Sequence, residues 1–302
     1  MKLHLLILAT LLLAACGAAT SVTPAPALAP EQLSTSPSCA PTFALKELGT
    51  VLTAEDTGQD KTAPVADPSP ILLPDGRVRL YFLAGAPGVK SAISEDGIHF
   101  TIEEGARVSQ GSGPVGPPRV VAVPGGYRMF VTTDAGFKSL FSSDGLTFTW
   151  EDGIRLSVEA EAHQQVIKFT PLQLPDSTWR AYFSNSFEPG QPVSQHWIKS
   201  ATSPDLLQWT LEDTVAAVGR EPFPMSFSET CTVLFYAKDG PPMGLAYSSS
   251  SDGITFSNEQ ELNTSMDAGA AVLKMPNGTV LFYHDSTSQE KGHYITVAQL
   301  SY

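Results

Sequence analysis

The chain has 302 residues, with 31 Asp and Glu against 18 Lys and Arg and a formal net charge of −13. That balance argues against a nucleic-acid partner, because phosphate binding needs clustered Lys and Arg, and 42% hydrophobic residues are too many for a disordered chain. Gly and Pro, 24 each, punctuate runs of Val, Ile, Phe, Tyr, Thr and Ser, so the composition predicts many short strands and turns in place of helices.

In chain order, Met1-Lys2 precedes an apolar run from Leu3 to Ala15. The run is too short to span a bilayer and fits the apolar region of a secretory signal. Its ending, Leu13-Ala14-Ala15-Cys16, resembles the lipobox of bacterial lipoprotein precursors. The resemblance implies cleavage before Cys16, lipidation of Cys16 and an extracytoplasmic protein anchored to a membrane. Gly17 follows in place of Asp, which in that pattern points to the outer membrane where the cell has one. Residues 1–15 are therefore the expected signal peptide. Residues 16–42, filled with Ala, Pro, Ser and Thr, make an extended tether. The folded domain is expected over 43–302. Export permits a Cys39–Cys231 bridge without requiring one.

Within the domain one string recurs as Ser94-Glu95-Asp96-Gly97-Ile98-His99-Phe100, Ser142-Ser143-Asp144-Gly145-Leu146-Thr147-Phe148, Ser203-Pro204-Asp205-Leu206-Leu207-Gln208-Trp209 and Ser250-Ser251-Asp252-Gly253-Ile254-Thr255-Phe256. Upstream lies a second repeat, two apolar strands around a turn, whose closing aromatics are Phe82, Phe130, Phe183, Tyr236 and Tyr283. Asp-Gly suits a tight hairpin because both central positions tolerate positive φ. The closing Phe or Trp of each Asp turn is placed to pack between neighbouring sheets. Four-stranded units at a period near 50 predict an all-β five-bladed β-propeller with four antiparallel strands per blade. The last unit lacks a fourth strand, which Phe43–Leu52 can supply from the N-terminus, closing the ring. The four Asp turns are expected to be structural.

Motifs for other chemistries are absent or misplaced. Gly111-Ser112-Gly113-Pro114-Val115-Gly116 matches a dinucleotide fingerprint, but it carries a Pro and leads into a strand. No P-loop, nucleophile elbow or zinc motif occurs, so no metal site is expected from the residues themselves. Propeller chemistry belongs where the innermost strands begin, around the central channel. Blade one opens with Asp67-Pro68 and blade four with Arg220-Glu221-Pro222. Asp267 precedes blade five, Glu161 and His163 precede blade three, and Arg119 opens blade two. Two carboxylates facing one mouth are what glycoside hydrolysis requires, one protonated and one ionised.

The Asp-Pro opening, the Pro74-Asp75-Gly76 hairpin and the Asp-Gly turns resemble the five-bladed propeller glycosidases, the arabinanases, β-xylosidases and invertases among them. The resemblance implies a carbohydrate substrate, Asp67 as base or nucleophile and Glu161 at the place of the acid; from the strand openings themselves Glu221 is the other candidate acid and Asp267 a neighbour tuning charge. His163, Arg119 and Arg220 are the candidate substrate-binding side chains. Phe137 and Phe187, in loops of the mouth face, are candidates to stack on a sugar or to pack. No cofactor is expected, although the resemblance allows a channel-bound calcium. The second-blade acid of that superfamily is absent, with Gly116-Pro117 in its place. A non-catalytic propeller that binds a glycan or protein partner at the cell surface is thus the alternative. The turns also resemble sialidase Asp boxes, but Arg119 and Arg220 fall short of the arginine cluster a sialidase needs. A monomer is expected.

Overall fold

In a computed structural model the described residues are 39–85, 88–108, 115–157, 166–185, 195–239, 244–262 and 268–302, which leaves Cys16, Glu161, His163, Phe187 and Asp267 outside them. Cys39–Tyr302 forms one compact unit. It opens with β1 (Ala44–Leu52), followed by five sheets in succession. The first contains β2 (Val65–Leu72), β3 (Val78–Ala84), β4 (Gly88–Ser94) and β5 (Thr101–Glu103). The second contains β6 (Arg119–Val123), β7 (Gly126–Thr133) and β8 (Gly136–Ser142). Its outer place is shared by two short pieces, β9 (Thr149–Trp150) and β10 (Leu156–Ser157), both paired with β8. Next come β11 (Val166–Gln173), β12 (Trp179–Asn185), β13 (Trp197–Ser203) and β14 (Thr210–Val218). The fourth sheet is β15 (Arg220–Ser228), β16 (Cys231–Ala237), β17 (Leu245–Ser250) and β18 (Ser257–Glu261). The fifth is β19 (Ala268–Lys274), β20 (Val280–Ser288) and β21 (Gly292–Ser301), completed by β1, which runs antiparallel to β21 from Ala44 opposite Ser301 to Leu52 opposite Ile295. Every pairing between these strands is antiparallel, and the sheets stand as five propeller blades.

The ring has no single core. Five apolar clusters fill the five seams between blades, such as Tyr81, Met129 and Leu140 between the first and second, and Tyr182, Leu234 and Ala246 between the third and fourth. The Asp turns tie these seams. At the fourth blade Ser250 Oγ donates to Asp252 Oδ1 (2.7 Å), and that same carboxylate oxygen accepts the Ile254 and Thr255 N–H groups at 2.8 Å. These bonds hold Asp252 down to about 2. The carbonyls so presented are read by the preceding blade: Arg180 Nη1 donates to Asp252 O (2.9 Å) and Tyr182 OH to Gly253 O (2.6 Å). Arg79 and Tyr81 repeat this on Asp144 and Gly145, and Tyr283 on Gly97. The closing aromatics complete the contact, Phe148 edge-on to Tyr81, Trp209 to Phe130 and Phe256 to Tyr182. The turns are structural latches. Cys39 is disulfide-bonded to Cys231 at the start of β16, and its carbonyl accepts a hydrogen bond from Ser249 Oγ (2.6 Å).

Candidate functional site

Four of the five innermost strands carry the same irregularity at their starts. The register slips between Ala66 and Ser69, Ile167 and Thr170, Arg220 and Phe223, and Ala268 and Ala271. Each slip holds one residue in left-handed backbone: Asp67 (φ 62°), Lys168 (φ 52°), Glu221 (φ 58°) and Gly269 (φ 77°). A bulge re-aims a side chain, and non-glycine residues at positive φ store strain of the kind found at functional sites. The four equivalent positions converge. Lys168 Nζ, 1% exposed at its side chain, lies 2.6 Å from Asp67 Oδ1 and 2.5 Å from Glu221 Oε2.

The fifth-blade position is glycine for a steric reason. A Cβ at Gly269 would collide with the Asp285 carboxylate, which enters from β20 beside it. Asp285 Oδ1 accepts the Asp67 N–H (2.9 Å), and the Gly269 N–H donates to Glu221 Oε2 (2.8 Å). Carboxylate oxygens of Asp67, Glu221 and Asp285 all lie within 4.8 Å of one another.

The electrostatics differ sharply between these acids. Burial pushes the Asp285 carboxyl well above the usual carboxylate range, and the charges of Asp67 and Glu221 push it further against the pull of Lys168. Burial acts to raise Glu221 as well, but the charge and hydrogen bond of Lys168, with Arg220 and the Gly269 N–H behind them, outweigh it and hold Glu221 low. Burial favours the neutral amine at Lys168, and the three carboxylates reverse this and keep the ammonium. The acids meet the spacing of a cation site. Lys168 already stands bonded to two of them, so a channel calcium at this trio does not fit unless that ammonium is displaced.

Of the residues singled out in the sequence, the structure brings Asp67 and Glu221 together and sets Arg220 beside Glu221, where its charge helps lower the carboxyl. Arg119 lies buried beneath the cluster, 2% exposed. Its Nε donates to Thr170 Oγ1 (3.1 Å), its Nη1 to the carbonyls of Pro68 (3.2 Å) and Pro118 (2.9 Å), and its guanidinium lies 5.8 Å from the Phe223 ring centre. Phe137 is not a mouth residue. It is fully buried in the seam between blades two and three, with ring centres 4.6 Å from Phe169 and 5.6 Å from Phe183. Sequence reasoning missed Lys168 and Asp285. Aligning Gly269 with Asp67 and Glu221 was the available signal, since a glycine at a carboxylate position leaves room for an acid from the next strand.

No protein-family model and no curated protein matches the chain, whereas solved structures do. A thermostable family-43 glycoside hydrolase superposes with a TM-score of 0.65 at 13% identity, over 80% of this chain and 90% of that one. The endo-arabinase of Bacteroides thetaiotaomicron gives 0.65 at 13% identity, over 84% and 98%. An α-L-arabinofuranosidase of Clostridium thermocellum gives 0.62 at 14% identity, over 78% and 90%. The resemblance read from the turns and openings therefore holds at the level of the fold: the chain is built like the five-bladed propellers of these glycoside hydrolases.

Proposed function

We propose that the protein acts on a carbohydrate at the channel mouth by paired-carboxylate chemistry. The observation that carries this reading is the meeting of Asp67, Glu221 and Asp285 within 4.8 Å, with burial raising the Asp285 carboxyl and Lys168 lowering that of Glu221. Environments that push paired acids apart in proton affinity assign acid and base. Asp285, partly exposed, is the acid that gives its proton to the leaving glycosidic oxygen. Asp67 is the nucleophile that bonds to the anomeric carbon as that oxygen departs. Water then displaces Asp67 and returns a proton to Asp285. The facing carboxylate oxygens lie within 4.8 Å of one another, nearer to the roughly 5–5.5 Å of retaining pairs than to the roughly 6.5–9.5 Å of inverting ones.

Residues 39–302 are to be assayed on arabinan, xylan and aryl furanosides and pyranosides. Asp67→Asn and Asp285→Asn should each lower kcat at least about 100-fold, and product NMR should show retained anomeric configuration. Turnover unchanged in either variant sinks the assignment. A second reading, glycan binding without turnover, is favoured by Lys168, whose ammonium fills the space between Asp67 and Glu221. It predicts calorimetric binding of a glycan that no variant hydrolyses. We also propose, from Leu13-Ala14-Ala15-Cys16, an extracytoplasmic protein anchored through lipidated Cys16. Cys16→Ser should abolish its labelling by radioactive palmitate in a bacterial host.

A further inference from the structure

Away from the carboxylate cluster, strained backbone gathers at one other place. Six described non-glycine residues have positive φ, and three of them are Asp67, Lys168 and Glu221. Two more, Ser177 (φ 70°) and Leu206 (φ 66°), line a single cavity of about 540 Å³. Both stand where other blades have glycine. The inner hairpins of blades one and five turn through Gly76 (φ 89°) and Gly278 (φ 86°). The Asp turns of blades one, two and four use Gly97 (φ 75°), Gly145 (φ 73°) and Gly253 (φ 69°). A bulky residue in this region is a true outlier, and such strain collects at functional sites.

The cavity lies where the innermost strands of blades two and three end, on the face opposite the mouth. The seam beside it departs from the repeat in a third way. At Gly145 and Gly253 an added Cβ would crowd the hydroxyls of Tyr81 and Tyr182. Phe130 holds the corresponding place beneath the third blade's turn and has no hydroxyl, which leaves room for the buried Leu206 side chain. The Leu206 carbonyl, deprived of that donor, accepts Trp209 Nε1 instead (3.1 Å).

The lining suits a sugar. Trp179 and Phe141, both half-buried, offer ring surface, and Gln173, Ser177 and Asp205 are exposed beside them. The Gln173 amide, the Ser177 hydroxyl, the Trp179 indole N–H and Asp205 Oδ2 have no hydrogen-bond partner among the described residues. Arg128 is spent on both Glu151 carboxylate oxygens and on the Asp205 carbonyl. A sugar ring sets C–H faces against aromatic walls and surrounds them with hydroxyls that both donate and accept. An anion would face Asp205 with no free cation beside it, and a metal ion would find no second acid and no histidine in the described lining.

We propose that this cavity is a saccharide-binding site, taking one ring of a neutral glycan against Trp179 with its hydroxyls on Gln173, Ser177 and Asp205. It lies apart from the mouth and stands whether or not the chemistry proposed there occurs.

The chain has four tryptophans, so nitrogen-15 labelling gives few indole N–H signals, and Trp179→Phe identifies the one that matters. Titration of the whole chain with xylohexaose and with arabinohexaose should shift that signal with a Kd below about 10 mM for at least one of them. The same shift should appear in Asp67→Asn, which separates this site from the mouth. Gln173→Ala should weaken binding at least about threefold. Ser177→Gly should weaken it by a similar factor while raising Tm, because glycine takes this backbone without strain. Should Trp179→Phe fail to fold, the two exposed variants decide the matter through calorimetry. No shift with either sugar at about 20 mM overturns the proposal, as does a shift lost in Asp67→Asn, or affinity unchanged in both Gln173→Ala and Ser177→Gly.

Discussion

Replacing Lys168 by Met keeps most of the side-chain stem and removes the ammonium from between Asp67 and Glu221. Both ion pairs are short, 2.6 and 2.5 Å, and the lysine is 1% exposed, so the cost is that of stranding buried charge, about 3–5 kcal/mol. For a domain of this size that lowers Tm by about 6–15 °C. The pH dependence gives a sharper check. In the unaltered protein Glu221 lies below its ordinary value of 4.5, so its contribution is present above that pH and is lost as the pH falls through the lower folded value. In Lys168→Met the main opposition to burial is gone and only Arg220 and the Gly269 N–H remain, so the Glu221 carboxyl rises, destabilises the fold at neutral pH and ceases to do so once protonated. Thermal melts of both proteins should therefore differ most near pH 7.5 and converge toward about pH 4.5. A loss under about 1 kcal/mol, or a gap that does not change with pH, would refute the view of Lys168 as the cluster's internal counter-ion.

Gly269→Ala places a side chain at φ 77° and against Asp285, and should cost about 1–3 kcal/mol, read from the urea midpoint. Arg180→Ala removes the bonds to Glu212 and to the Asp252 carbonyl, lowering stability by about 1.5–3 kcal/mol, whereas Tyr182→Phe, losing one hydroxyl bond, should cost about 1 kcal/mol. Equal melting temperatures for Arg180→Ala and the unaltered chain would remove the latch from the stability account. Cys39→Ser with Cys231→Ser opens a covalent loop spanning 192 residues, for which chain entropy gives about 5 kcal/mol. A reductant should lower the Tm of the unaltered chain and leave that of the double variant unmoved.

Most of the fold was legible because a propeller repeats its grammar. The Ser-x-Asp-Gly turn and its closing aromatic recur where each seam needs a carbonyl-presenting loop and a ring, so Asp144, Asp252, Phe148 and Phe256 announced structure in the sequence itself. Half of the cluster was legible for the same reason, since Asp67 and Glu221 each precede a proline at the start of an inner strand. Asp285 was hidden because it belongs to a second strand and reaches the channel only through the space left at Gly269. Lys168 was visible as a residue and opaque as a group: nothing local in Lys168-Phe169-Thr170-Pro171 tells that two acids, 101 residues before and 53 after it, will close on its ammonium. Arg119 stood out as a basic strand opener. That its guanidinium would turn inward to span blades one, two and three is a fact of ring geometry, which sequence spacing does not carry.

The pairing of Ala44 with Ser301 sets an order of events for a chain that is made from one end. β1 is synthesised among the first strands and waits for β21, the last, with its hydrogen-bonding edge open. At about 5–20 residues per second the interval is roughly 13–50 s. During that time four blades can form as local units, but the fifth cannot. The exposed charge at Lys46 and Glu47 suits a strand that must wait, since charged side chains on an open edge discourage pairing with another chain.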